Sequence, residues 1–285
     1  MVVVAVAGTG LVGKQVIHAL LSSGKHTVIV LSRSPKPTLT AEGALVKAVD
    51  YSSVPSLVSA LSDSPEPVHT VISCLVSLDP SDMVKTQINL LQAAKQVGAK
   101  RFAPSEFAVS REANQFVEFY REFKEPVWKA AEESGLEVTA FSCGIFTNYL
   151  AHGSSNVHAR EELEGIENSF PVGVDIKEGR ADIPGTGKEI VTFTRWQDVG
   201  KFVAAAVELE RWEKESSMAG DAMSYDEVIK IAEEVTGRKF NVVKLVGGLG
   251  LASVEPRLNK LVDVQPMGVK EFITSLGLRG FEPST

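Results

Sequence analysis

Hydrophobic positions in the first half of the chain alternate between two rhythms. Short apolar-rich runs at residues 2–7, 27–31, 45–49, 68–74, 101–104 and 137–142 read as strands buried on both faces. Between them, apolar positions recur at helical spacing. The first such segment carries Leu11, Val12, Val16, Ile17, Leu20 and Leu21, one stripe of a 3.6-residue period. A second helix is expected over residues 54–61. Asp79-Pro80 supplies a cap and a first-turn proline for a third that runs to about Val97. A fourth spans about 116–134 and is closed by Gly135. The alternation predicts an α/β fold, a doubly wound parallel Rossmann sheet of strand order 3-2-1-4-5-6. Ligands should sit at the carboxyl ends of its strands.

Beyond residue 148 the alternation weakens, and residues 151–183 hold no long periodic run. A strand follows at 189–194, with Thr194 placed to cap a helix over 196–210. Helices at 224–236 and 269–276 flank a strand at 240–245. The expected organisation is a cofactor domain over residues 1–150, with 189–210 packing back on it. Residues 151–188 and 211–285 form a smaller, substrate-binding subdomain.

Bulk properties narrow the partners. The 285 residues are 44% hydrophobic and 23% charged, as in ordinary soluble domains. A net charge of −7 argues against nucleic acid and anionic membranes, which require a basic field. No basic leader follows Met1, and no apolar run is long enough to span a bilayer, so a cytoplasmic location is expected. Cys74 and Cys143 sit in apolar strand contexts and read as buried free thiols. The five histidines are scattered. Only His152 and His158 lie near each other, without cysteine or carboxylate at ligand spacing, so no metal site is expected. A monomer or homodimer is anticipated.

The chemistry begins at Gly8-Thr9-Gly10-Leu11-Val12-Gly13, between the first strand and the first helix. Gly8 allows a tight turn, Gly10 lets the backbone approach a pyrophosphate, and Gly13 lets the helix pack on the strand. The helix N-terminus then faces the anion. The second strand ends in Ser32-Arg33-Ser34-Pro35-Lys36, with no acid to accept from a ribose 2′-hydroxyl. Arg33 and Lys36 suit a 2′-phosphate, so the expected cofactor is NADP(H); the plain alternative is a solvated basic turn. Asp50 and Tyr51 close strand three, where Asp50 either accepts from an adenine amino group or simply forms the turn. Cys74, Leu75 and Val76 close strand four. Pro104, Ser105, Glu106 and Phe107 close strand five, facing the nicotinamide side or serving turn chemistry. Tyr120 and Lys124, at i and i+4, share a helix face. In short-chain reductases such a lysine holds the ribose and lowers the tyrosine pKa, so that the phenol protonates a nascent alkoxide. A packing aromatic among Phe116, Phe119 and Phe123, and a solvated lysine, are the plain alternatives. Pro126 favours a helix starting near itself, which would leave Lys124 just outside the first turn.

With these motifs the chain resembles the NmrA-like branch of atypical short-chain dehydrogenases, and within it the isoflavone reductase-like proteins. That group includes phenylcoumaran benzylic ether and pinoresinol–lariciresinol reductases. Arg101-Phe102-Ala103-Pro104-Ser105-Glu106-Phe107 is similar to the family signature, with Ala108 where glycine is usual. Val191–Gly200 is similar to a second family block. The resemblance places the family's lysine eleven residues before a strand-opening glycine; counting back from Gly135 gives Lys124. It also puts Cys143, Gly144 and Phe146 beside the nicotinamide. Departures are Ala7 for the first turn glycine, Trp128-Lys129 for an arginine pair, and Gly144 where several members carry a polar residue. The resemblance implies an NADPH-dependent reductase. Lys124 and Tyr120 are its catalytic candidates, and Phe107, Phe146 and Tyr149 frame a pocket for a small aromatic or secondary-metabolite substrate. The family also contains non-catalytic NAD(P)-sensing regulators, the alternative reading.

Overall fold

Six strands, β1 (Val3–Ala7), β2 (Thr27–Ser32), β3 (Leu45–Ala48), β4 (Val68–Ser73), β5 (Arg101–Ala103) and β6 (Glu137–Val138), form one sheet in the order β3-β2-β1-β4-β5-β6. Every pairing is parallel, as the strand alternation predicts. The computed structural model describes residues 1–77, 79–152, 162, 172–245 and 254–277. Helices α1 (Leu11–Ser23), α2 (Pro37–Ala41), α3 (Val54–Ser62), α4 (Pro80–Gln96), α5 (Arg111–Asn114) and α6 (Glu118–Glu133) connect and cover the strands.

The period-two alternation of side chains separates two cores. Val4 and Val6 join Val16, Ile17 and Leu20 of α1 on one face. Val3, Ala5 and Ala7 meet Leu57, Leu90, Trp128 and Ala131 on the other. Helix α7 (Trp196–Val207) returns to the first face, where Val199, Phe202 and Val203 complete the cluster around α1. A Cβ at Gly200 would overlap the Gln15 carbonyl, so glycine is what permits this approach of α7 to α1.

The remaining chain builds small sheets around a third core. Strand β7 (Ala140–Ser142) pairs with β12 (Glu215–Ser217), and β8 (Ile145–Phe146) with β11 (Ile190–Thr194), which also takes β13 (Asp221–Ser224). β10 (Arg180–Pro184) lies between β9 (Val174–Asp175) and β14 (Asn241–Leu245). Phe193, Trp196, Tyr225 of α8 (Tyr225–Thr236) and Phe272 of α9 (Val269–Ser275) form the core beneath them. Residues 153–161 and 163–171, within the stretch expected to lack regular structure, lie outside the described residues, and so does His158. Among the described residues no helix is long and apolar enough to cross a membrane.

Three local expectations are corrected. The sixth strand is not continuous over 137–142: it divides at Thr139, whose hydroxyl donates to Ser216 (2.8 Å), and β7 leaves the main sheet for β12. Thr194 does not cap α7. Its hydroxyl donates to the Cys143 carbonyl (2.7 Å), and the Trp196 N–H is satisfied instead by Asn148 Oδ1 (2.9 Å). Pro126 does not start a helix; α6 runs through it, with Lys124 well inside. An interior proline costs about 3 kcal/mol. Burial of Phe123, Val127 and Trp128 on one face of α6 contributes roughly 1.5–3 kcal/mol each and prevails. Glu122 and Pro126 lie on the exposed side, so the hydrogen bond that the proline cannot give is missing on the solvent face of α6 and not in the core.

Candidate active site

The glycine turn separates what the protein needs for itself from what it offers to a ligand. Gly8 adopts φ 98°, and a Cβ there would stand 2.8 Å from the Cys74 carbonyl oxygen. A Cβ at Gly13 would overlap the Gly8 carbonyl and come within 3.2 Å of Cys74 Cβ. Both glycines are demanded by packing. Gly10 is different: it is exposed, caps α1 without a side-chain bond, and a Cβ there would meet nothing within 4 Å. Its open side faces a cleft of about 620 Å³, lined by Gly8, Thr9, Gly10, Ser32, Arg33, Lys36, Asp50, Tyr51, Cys74, Leu75 and Val76.

These are the sequence-derived candidates from the ends of β1 to β4, brought together. Ser34 of the basic turn completes the wall with Ser52, Ser77, Asp82 and Thr86, of which the last four were not singled out in the sequence. Leu11, Val12 and Gly13 lie below the rim: Leu11 packs on the third core and Val12 on the first. Arg33 is exposed and makes no hydrogen bond or ion pair among the described residues; Lys36 is half-buried at the start of α2. Asp50 forms a turn, Oδ1 accepting from the Ser52 N–H (2.8 Å) and hydroxyl (2.7 Å). Those bonds hold its carboxyl below the usual carboxylate range. Tyr51 is a buried latch whose hydroxyl donates to the Leu31 carbonyl (2.7 Å).

The second group gathers past the end of β5. Pro104 is buried, and the Ser105 N–H donates to Gln87 Oε1 (2.8 Å). Phe107 stacks on Phe141, with ring centroids 6.0 Å apart. Lys124, 4% exposed, comes up from α6 and donates to the Glu106 main-chain carbonyl (2.8 Å). Its Nζ also lies 3.3 Å from Glu106 Oε2 and 4.4 Å from the centre of the Tyr120 ring. Burial lowers the Lys124 pKa, and the Glu106 charge opposes that shift. Tyr120 is half-buried against Phe119 and Phe123. Its phenol is pushed up, first by burial and then by Cys143, Tyr149 and Glu106. It therefore does not take the form of a tyrosine acidified by its lysine; the ring, not the hydroxyl, faces the ammonium.

Cys143 and the Glu106 carboxylate are sealed beneath this surface, which corrects the expectation that they line it. Cys143 has no exposed area; its N–H donates to the Ala108 carbonyl (2.9 Å), and burial first of all pushes its thiol up to about 12. Gly144 is buried too: at φ 69°, a Cβ would overlap the Thr192 carbonyl, a close crossing that leaves no room for a side chain. Phe146 and Tyr149 remain half-buried, 6.2 Å apart by ring centroids, and share the third core with Leu11. Phe107 and Phe146 also pack against the first core, as does Val12 of α1.

A polar knot beside them was missed in the sequence. Glu162 is buried, pairs with Arg195, and accepts from Asn148 Nδ2 (2.6 Å) and Gln197 Nε2 (3.0 Å). Its acidic sequence neighbours, residues 161 and 164, lie outside the described residues. The one available signal was Arg195-Trp196-Gln197 inside the second family block. Among the described residues no group of three or more His, Cys, Asp or Glu is arranged to hold a metal.

A family model described as NmrA-like matches residues 1–253. The chain belongs to the NmrA-like family. Oxidoreductase BOA1 of Botryotinia fuckeliana (strain B05.10) is 35% identical over 246 residues, covering 84% of this chain and 78% of that protein. Phenylcoumaran benzylic ether reductase TP7 of Nicotiana tabacum is 24% identical over 285 residues, covering 93% and 82%. Among solved structures, this NmrA-like chain superposes on AtPrR2 with NADP+ and (+)pinoresinol at a TM-score of 0.74, with 21% identity and 96% and 98% coverage. The NADPH-dependent quinone oxidoreductase QOR2 from Escherichia coli, complexed with NADPH, gives 0.72 at 20% identity and 96% and 99% coverage.

Proposed function

We propose that this protein is an NADPH-dependent reductase acting on an electron-poor carbon of a small aromatic substrate, in an enone, quinone methide or carbonyl. The observation that carries the reading is Lys124, a buried lysine held past the end of β5, in the sheet whose β1 to β4 ends bound the glycine-turn cleft. The cleft fits the cofactor. Gly10 is open toward it, and Arg33 and Lys36 line it beside two serines, where an acid would reject a 2′-phosphate. Gly8, Thr9 and Gly10 would hold the pyrophosphate, and Leu75 and Val76 the ribose side. When bound, NADPH supplies hydride from its nicotinamide.

The chain supplies placement and charge. Lys124 presents a fixed cation that orients hydroxyls and steadies negative charge developing on a substrate oxygen. Phe107, Phe146 and Tyr149 offer apolar area to an aromatic ring and exclude water. Oxidoreductase relatives and reductases within the family support the reaction class. The substrate class rests on the aromatic wall.

NADPH carrying deuterium at C4, one stereoisomer at a time, tests the reading. With aromatic enones, quinones and aldehydes as acceptors, mass spectrometry should find deuterated product from the wild type. Lys124→Ala should still bind NADPH and lose most of that turnover. An unlabelled panel and source-cell extract, in protein shown to bind NADPH, would replace the enzyme reading with that of an NAD(P)-sensing regulator.

A further inference from the structure

Lys124 and Glu106 are 4% and 1% exposed. A charge withdrawn so far from water is tolerated only when it is paired and hydrogen-bonded. Here one residue serves the lysine twice. The Glu106 carbonyl accepts from Nζ at 2.8 Å, and its carboxylate stands 3.3 Å away. The carboxylate is itself held: Oε2 accepts from Asn114 Nδ2 (2.9 Å), and Arg111 Nη1 lies 3.9 Å from Oε1. Arg111 is held in turn by Glu125 (2.8 Å) and by the face of Trp128, 4.4 Å from its ring centre. The ammonium has three donor directions. The Glu106 carbonyl and carboxylate take two of them; the Tyr120 ring lies 4.4 Å from Nζ, and among the described residues no hydrogen-bond acceptor takes the third.

We propose that Glu106 is a positioning residue for the reduction, gripping Lys124 through both its carbonyl and its carboxylate so that a charged ammonium is presented at the site. This rests on the reductase reading for its purpose, though the grip itself is a property of the folded chain. The surrounding groups are few. Glu106 from the loop after β5 is the anion that favours the ammonium, and Arg111 of α5 opposes it. Cys143 past β7 is a neutral thiol at physiological pH, as its shift to about 12 requires. Tyr120 contributes its ring, and Tyr149 lies beyond. Burial alone would drive Lys124 toward the neutral amine. A neutral amine would still hydrogen-bond but would lose its charge for an incipient oxyanion.

The test is a titration that needs neither substrate nor cofactor. Full-length protein labelled with 13C at lysine Cε is followed by NMR against pH, the Lys124 signal being assigned by its loss in Lys124→Arg. Glu106→Gln should lower the Lys124 midpoint by about 1–3 pH units, the range for an opposite charge at this distance. Glu106→Asp, which keeps the charge on a shorter arm, should recover part of it. Arg111→Met should move the midpoint the other way, and these two variants carry the test if Glu106→Gln does not fold. A midpoint that stays within about 0.3 unit in Glu106→Gln, or in both other variants, overturns the proposal. Single-turnover NADPH oxidation separates the two readings. A shifted midpoint in a protein that reduces nothing leaves the grip standing and removes the reductase. An unmoved midpoint in an active enzyme does the reverse.

Discussion

Substituting Gly10 by alanine isolates the cofactor function of the glycine turn from its structural one. In the folded chain the new methyl would touch nothing within 4 Å, so packing exacts no penalty. Alanine is a poorer cap than glycine by a fraction of a kcal/mol, and it also lowers the entropy of the unfolded chain by a comparable amount. The net change should stay under about 1 kcal/mol, or about 2–4 °C in Tm for a chain of this size. The ligand sees something else. A Cβ projects ~1.5 Å from the backbone into the cleft where a pyrophosphate must come within hydrogen-bond distance of main-chain N–H groups. Losing one charge-assisted bond removes about 1.5–3 kcal/mol, a roughly 10- to 150-fold weaker Kd. Gly13→Ala is the control. Its methyl overlaps the Gly8 carbonyl and approaches Cys74 Cβ at 3.2 Å, so overpacking should cost about 1–3 kcal/mol and lower Tm as well as affinity. Calorimetric titration with NADPH and thermal unfolding by circular dichroism give both quantities. Gly10→Ala binding within threefold of wild type, or a fall in Tm as large as that of Gly13→Ala, would refute the assignment.

Other perturbations address the rest of the site. Arg33 is exposed, so its pairing with a 2′-phosphate is partly screened; Arg33→Ala should weaken NADPH by about 5- to 10-fold and NADH by less than about twofold. Equal losses would show that Arg33 does not read the phosphate. Tyr120→Phe keeps the ring over Lys124 and removes the hydroxyl, so turnover should fall less than about threefold; a drop of 10²-fold or more, the worth of a general acid, would make the phenol the proton donor. Cys143, with its thiol pushed up to about 12, should resist thiol reagents at pH 8 until the chain unfolds. Its folded pKa is raised above the unfolded value, so its contribution to stability is full below about pH 9 and is lost as pH climbs toward 12. Denaturant midpoints that rise over that interval would contradict the burial.

The sheet was legible because its strands are short apolar runs separated by helical stripes, and parallel pairing follows from the crossovers. The glycine turn was legible for a related reason: its requirements are local, and residues 8–13 meet them in one stretch. What stayed hidden depends on contacts between distant segments. Thr194 looks like a cap from its own neighbourhood, yet Cys143, 51 residues away, claims its hydroxyl, and Asn148 takes over the cap from 48 residues away. Pro126 looks like a helix start, because the burial that carries α6 through it comes from the other elements of the second core.

Lys124 and Glu106 show the same limit at the site itself. Each was marked singly, one by helix spacing and one by its place after β5, and spacing alone implied a Tyr120–Lys124 pair. Burial decides otherwise. Burial raises the pKa of the half-buried phenol, and the Tyr120 ring, 4.4 Å from Nζ, lies over the lysine. The lysine, nearly sealed, requires an anion, and the residue 18 positions earlier supplies it. The helix sets the Tyr120 ring of a common i, i+4 pattern over the lysine, while the Lys124–Glu106 ion pair is assembled across elements. The signature segment Pro104–Phe107 is also the cradle of Lys124. Its proline and serine turn the chain, its phenylalanine stacks on Phe141, and its glutamate holds the charge.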